Sequence, residues 1–185
     1  MGYAIHIQEW CLDNQWNGFR TSFACCLVVG NSARRNLILT MNATDECTEV
    51  CKSLLRGELS AIETYTQAIQ KFSSGPERAA LQAIRTDHAN SAALLCDHLV
   101  DMGATPVTDS GAWGTFARAV EGGAKLLGES PALAVLEEGE EHGAHEYEEA
   151  LANPDVMQEI KTMIRRELLP PLGEHVSTLE RLRRR

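Results

Sequence analysis

Four long segments of this chain place apolar residues three and four positions apart, the spacing of one face of an α-helix, and that period points to an all-α fold. The first runs through Cys47, Cys51, Leu55, Glu58, Ile62, Tyr65, Ile69 and Phe72. The second carries Leu81, Ile84, His88, Ala92, Leu95, Leu99 and Met102. A third stripe holds Leu133, Leu136, Glu140, Ala144, Tyr147 and Leu151, and a fourth Met157, Ile160, Ile164, Leu168, Pro171, His175, Leu179 and Leu182. Ser73-Ser74-Gly75-Pro76 separates the first two segments, with Ser74 as a candidate cap and Pro76 in a first turn. Ser130-Pro131 opens the third helix, and Asn153-Pro154-Asp155 is expected to open the fourth in the same way. Between the second and third, after Gly103 and Pro106, a shorter amphipathic stretch with Trp113, Phe116, Val120 and Leu127 on one face supplies a crossover. Four long helices in two hairpins joined by a long crossover describe a ferritin-like four-helix bundle.

This domain spans residues 44–185, and residues 1–43 read as an N-terminal extension. Residues 1–40 show no sustained helical period, and the apolar run Phe23 to Gly30 is far shorter than the about 20 residues that span a bilayer. Glu9 and Asp13 stand where a secretory leader needs basic residues. The extension is either a disordered arm or lies upstream of a true start at Met41, and intact-mass analysis of the natively expressed protein distinguishes the two.

The net charge of -9, from 26 acidic and 17 basic residues, argues against a nucleic-acid or anionic-membrane surface. The arginines from Arg181 to Arg185 complement a helix C-terminus. Six cysteines at irregular intervals fit neither zinc knuckles nor a disulfide scaffold, so a reduced, cytoplasmic protein is expected. Cys51 and Cys96 stand at equal depth from the first turn, where they either pair or act as small apolar filler.

Three of the apolar stripes carry an acid or a histidine at mid-length: Glu58, His88 and Glu140, with Glu167 flanking the fourth. A buried carboxylate costs several kcal/mol unless compensated, so each needs a partner. Mirrored about the first turn, Glu58 and His88 lie within about 1.5 Å of the same depth. Mirrored about Asn153-Pro154, Glu140 and Glu167 are level. Four inward groups rich in oxygen, with imidazole, suit iron or manganese better than a sulfur-rich zinc site. A di-metal carboxylate centre in such a bundle takes a Glu-x-x-His pair from each of two helices, and neither is here: Arg85 precedes His88 by three, and Pro170 follows Glu167 by three. Asp87, Glu137, Glu141 and His175 are substitutes off the stripe or off the level. The other reading is a metal-free polar core tied by a Glu58–His88 ion pair. His142 and His145, which first draw the eye in the acidic run Glu137 to Glu149, fall on the solvent side. Pro170-Pro171 is expected to kink the last helix just past Glu167.

Four strings together resemble a bacterial ferritin-like domain family of unknown function: Leu54-Leu55-Arg56-Gly57-Glu58-Leu59-Ser60-Ala61-Ile62-Glu63-Thr64-Tyr65, Ser110-Gly111-Ala112-Trp113-Gly114, Glu138-Gly139-Glu140-Glu141-His142-Gly143, and Glu167-Leu168-Leu169-Pro170. The resemblance covers about 44–182 and implies a four-helix bundle and a start at Met41, but no activity. Rubrerythrins and manganese catalases in the wider superfamily bind iron or manganese and act on oxygen or peroxide. By that analogy Glu58, His88, Glu140 and Glu167 are the expected metal ligands, in a protein of stress or metal handling. Whether it is an enzyme stays open; metal-dependent redox chemistry on peroxide or oxygen is the class implied. The alternative is a metal-free, non-catalytic helical interaction protein. The expected partners are a metal ion and, as an open option, a second copy of the chain, with no nucleic acid and no membrane.

Overall fold

The computed structural model describes residues 31–72, 75–111 and 129–184, with side chains for 45–72, 75–111 and 130–184. The amphipathic crossover stretch, Ser74 and residues 1–30 lie outside them. The elements are α1 (Asn31–Ile69), α2 (Pro76–Asp101), α3 (Glu129–Ala152), α4 (Gln158–Met163), a π-helical turn (Ile164–Leu168) and α5 (Leu169–Arg183). The last three follow one another without a break and act as the fourth arm of an all-α four-helix bundle. The first helix reaches back to Asn31, thirteen residues before the expected Thr44. No helix among the described residues is long and apolar enough to cross a membrane.

Each connection follows from its residues. Gly75, at φ 117°, turns the chain where a side chain would be strained, and Pro76 begins α2 where its missing N–H is no loss. Arg78 Nη1 ties the turn by donating to the carbonyls of Ile69 (3.2 Å) and Phe72 (3.0 Å). At the far end of α2, Gly103 takes φ 76°; its N–H reaches Val100 O at 2.8 Å and that of Ala104 reaches Leu99 O at 2.9 Å, a Schellman closure. Asn153 behaves differently from expectation. Its Oδ1 accepts from the Asp155 N–H at 2.9 Å within a turn, and the helix starts only at Gln158. Asx turns compete with helix capping, and here the turn prevails.

The helices pack chiefly as hairpins, α1 on α2 and α3 on α5, while α1 and α3 meet more sparsely. Two apolar clusters fill the bundle. One gathers Leu55, Leu95, Leu99, Ile160, Ile164 and Leu168 around Cys47, Cys51 and Tyr147. The other gathers Tyr65, Ile69, Phe72, Leu81, Ile84, Leu133, Leu136 and Leu179. These lists place the start of α3 beside the start of α2, so the chain between Asp101 and Glu129 joins opposite ends of the bundle. Cys47, Cys51 and Cys96 are buried in the first cluster and form no disulfide, and burial, helped by the adjacent Cys47, pushes Cys51 up to about 12.

The π-helical turn sits directly before Pro170-Pro171, with the Leu169 N–H donating five residues back to Ile164 O. Proline rings at these positions would crowd the carbonyls four residues earlier, and a wider turn relieves that crowding. The extra residue shifts the stripe, so that Leu168 and Leu172 are buried while Pro171 is only half-buried. Leu95 is fully buried; Leu95→Ala should lower unfolding free energy by about 2–5 kcal/mol in a urea titration, with the helical signal of the native state retained.

Candidate metal centre

The two apolar clusters are separated by a polar layer to which every arm contributes. Glu58 of α1 lies between Leu55 and Tyr65, His88 of α2 between Ile84 and Ala92, Glu140 of α3 between Leu136 and Tyr147, and His175 of α5 between Leu172 and Leu179. All four are at least 96% buried, so none is solvated and each must be satisfied by the others.

His88 is the centre. Its Nδ1 lies 2.8 Å from Glu58 Oε2 and its Nε2 lies 3.0 Å from Glu140 Oε1. A carboxylate facing each ring nitrogen requires a proton on both, because a bare nitrogen would set its lone pair against oxygen. Burial alone would lower the imidazole's affinity for protons, but the charges of Glu58 and Glu140 override it and carry His88 up to about 10. Glu140 mirrors this: burial favours its neutral form, yet His88 and His175 hold it down at about 2. Its second oxygen, Oε2, lies 3.0 Å from His175 Nδ1, and His175 Nε2 continues to Asp87 Oδ2 at 3.2 Å. The imidazoles of His88 and His175 lie tilted by 57° to each other with centroids 5.2 Å apart.

Two tyrosines complete the layer. Tyr65 donates to Glu140 Oε1 at 2.6 Å, and Tyr147 donates to Glu58 Oε1 at 2.5 Å. Burial, then the neighbouring carboxylate, lifts both phenols well above their usual range, so they are fixed as donors. The bonds are reciprocal: each helix's tyrosine reaches the other helix's glutamate. The same seven-residue interval separates Glu58 from Tyr65 and Glu140 from Tyr147, and on antiparallel helices equal intervals bring both pairs into register.

Of the four ligands expected from sequence, the structure gathers Glu58, His88 and Glu140. Glu167 is exposed, in the π-helical turn, and its place opposite Glu140 is taken by His175. The mirror point assumed between Asn153 and Pro154 was too early. A non-helical link through Met157, followed by a turn that packs more residues into the same rise, carries residue 175 to the level of residue 140. Asp87 also joins, as the outer partner of His175. His142 and His145 face solvent as expected, His145 Nε2 lying 3.3 Å from Glu149. Tyr65 and Tyr147 stand in the sequence as members of the apolar stripes, and the repeated Glu-to-Tyr interval is the signal there for their second role.

His88, Glu140 and His175 each offer one ligand atom, and the three lie within 4.8 Å of one another. Small side-chain rotations bring such atoms onto one ion, whose bonds to nitrogen and oxygen are about 2.0–2.2 Å. Their outer partners fit the same purpose, since metal-bound histidines typically donate the other ring N–H to a carboxylate. His88 has Glu58 and His175 has Asp87.

Stability should depend on pH in two limbs. His88 is raised, so its contribution is complete below about 6.5 and fades as pH climbs toward 10. Glu140 is lowered, so its contribution is complete above about 4.5 and fades as pH falls toward 2. Urea midpoints of metal-free protein should therefore be highest between those limits, and His88→Leu should flatten the alkaline limb. Removing one partner, as in Glu140→Leu, should cost about 3–5 kcal/mol at neutral pH.

The chain belongs to the family described as Domain of unknown function (DUF2383), which matches residues 46–153. No curated protein and no solved structure matches it. The matched span contains Glu58, Tyr65, Asp87, His88, Glu140 and Tyr147 but ends before His175.

Proposed function

We propose that this member of the family is a ferritin-like metal-binding protein that holds one iron or manganese ion through His88, Glu140 and His175. The observation that carries the reading is the donor set with its outer partners: two imidazoles and one carboxylate within 4.8 Å, and a carboxylate behind each imidazole. Two histidines and a carboxylate form the set typical of non-haem iron, and the absence of thiolate favours iron or manganese over structural zinc. Glu58, expected as a ligand, serves here as the orienting group of His88. Glu167 has no part in the site.

The ligands leave coordination positions open for a small oxidant such as oxygen or peroxide, and a metal there would supply redox chemistry. The protein's own residues keep that position dry, fix both imidazole rings through Glu58 and Asp87, and hold Glu140 ionised. Tyr65 donates its hydroxyl hydrogen bond to Glu140 Oε1 and so limits how that carboxylate can swing. Metal handling or stress defence in the cytoplasm fits this chemistry, and three buried cysteines without a disulfide fit a reducing compartment.

The second reading is a metal-free helical protein, favoured by one observation: a doubly protonated His88 already engages both buried carboxylates, Glu58 and Glu140, in hydrogen-bonded ion pairs. Titration of untagged, metal-free protein with ferrous and manganous ions decides between them. One equivalent should bind with release of a proton from His88, and His175→Ala and Glu140→Gln should each weaken binding at least tenfold. Weak, substoichiometric binding indifferent to both changes would overturn the metal reading.

A further inference from the structure

Between α1 and α3, which meet more sparsely than the two helices of either hairpin, lies a cavity of about 90 Å³. Its floor is the polar layer, with Tyr65, Tyr147 and His88; its walls are mostly carbon, from Leu54, Ala61, Leu136 and Leu172. Gly57 and Gly143 also face it. Close helix packing does not explain Gly57, because a Cβ there would meet nothing within 4 Å. A glycine inside a helix costs about 1 kcal/mol relative to alanine, so an unneeded one leaves room at the expense of stability. Thr64 lines the same cavity and is 98% buried, and its Oγ1 has no hydrogen-bond partner in the protein. Most buried hydroxyls have a partner, and one without calls for an explanation.

We infer that this cavity is a binding site for a short, uncharged aliphatic molecule bearing one hydroxyl-type group, which pairs with Thr64 Oγ1 once that side chain turns about χ1 toward the cavity, while its carbon chain lies along the apolar walls. Charged ligands are disfavoured because the walls are mostly carbon and every carboxylate oxygen of Glu58 and Glu140 on the floor already accepts a hydrogen bond, from Tyr147, His88, Tyr65 or His175. At the rim, His142 stands 3.9 Å from Glu146. The volume limits the ligand to a short chain, since it is smaller than an engineered apolar cavity of about 150 Å³ that accepts benzene. The site stands with or without a metal at His88, Glu140 and His175.

The test is two-dimensional NMR of the full metal-free chain titrated with 1-butanol, following the Ala61, Leu136 and Leu172 methyl signals, with butyrate and butylammonium as charged controls. Wild type should show saturable shifts with 1-butanol alone. Thr64→Val, which keeps the shape and removes the hydroxyl, should weaken binding about tenfold. Gly57→Leu should abolish it while raising the melting temperature by about 2–4 °C, as expected for removing a helical glycine, so that loss of binding is not loss of fold. Metal titration of Gly57→Leu should match wild type, which separates this site from the metal reading. Absence of saturable 1-butanol binding, binding by Gly57→Leu equal to wild type, indifference to Thr64→Val, or equal binding of butyrate would each overturn the inference.

Discussion

Everything in this bundle is arranged around an imidazolium held between two buried carboxylates. Each of Glu58, His88 and Glu140 would be too costly to bury alone, and a mutual arrangement with short, charge-assisted hydrogen bonds is what makes the layer tolerable. The requirement acts on the backbone as well as the side chains. Three helices must present one specific residue at one depth, and a slip of a single residue in any of them would separate the charges by 100° of helical rotation. Apolar contacts above and below can slide or repack with modest loss. The polar layer cannot, and it therefore sets the register of the bundle.

The fourth arm shows how that register is met. His175 has to face Glu140, yet Pro170-Pro171 interrupts the hydrogen-bond ladder five residues earlier. The π-helical turn from Ile164 to Leu168 absorbs the interruption without breaking the arm. From His175 the hydrogen bonds continue to Asp87, whose side chain is 49% exposed. The buried layer is thus linked by an unbroken series of donors and acceptors to the bundle surface.

Periodicity exposed much of this in advance. The stripes of the first three helices place Glu58, His88 and Glu140 inward, and equal depth about the Ser73 to Pro76 turn pairs the first two, because that turn is tight and its centre is easily located. The second turn misled for the same reason in reverse. Asn153-Pro154-Asp155 looks like a helix start, but the asparagine side chain closes a turn of its own, and a residue inserted by the π-helical turn has no signature in local composition. Glu167, which flanks the fourth stripe beside Leu168, is therefore expected level with Glu140, whereas it lies exposed in the π-helical turn. Buried tyrosines were read as core because their rings are core. Their hydroxyls matter only once two helices are seen side by side.

Those hydroxyls also act as distance pieces. A tyrosine side chain is rigid beyond its two torsions, and each of the two is anchored at its tip by a carboxylate on the opposite helix. α1 and α3 touch little of each other directly, so their separation along this stretch is set by the span from a tyrosine Cα to a glutamate Cα, taken twice in opposite directions. Shortening one strut would tilt the helices, and shortening both would let them approach. The width of the cavity between them is accordingly a covalent length, written into the chain as two aromatic rings.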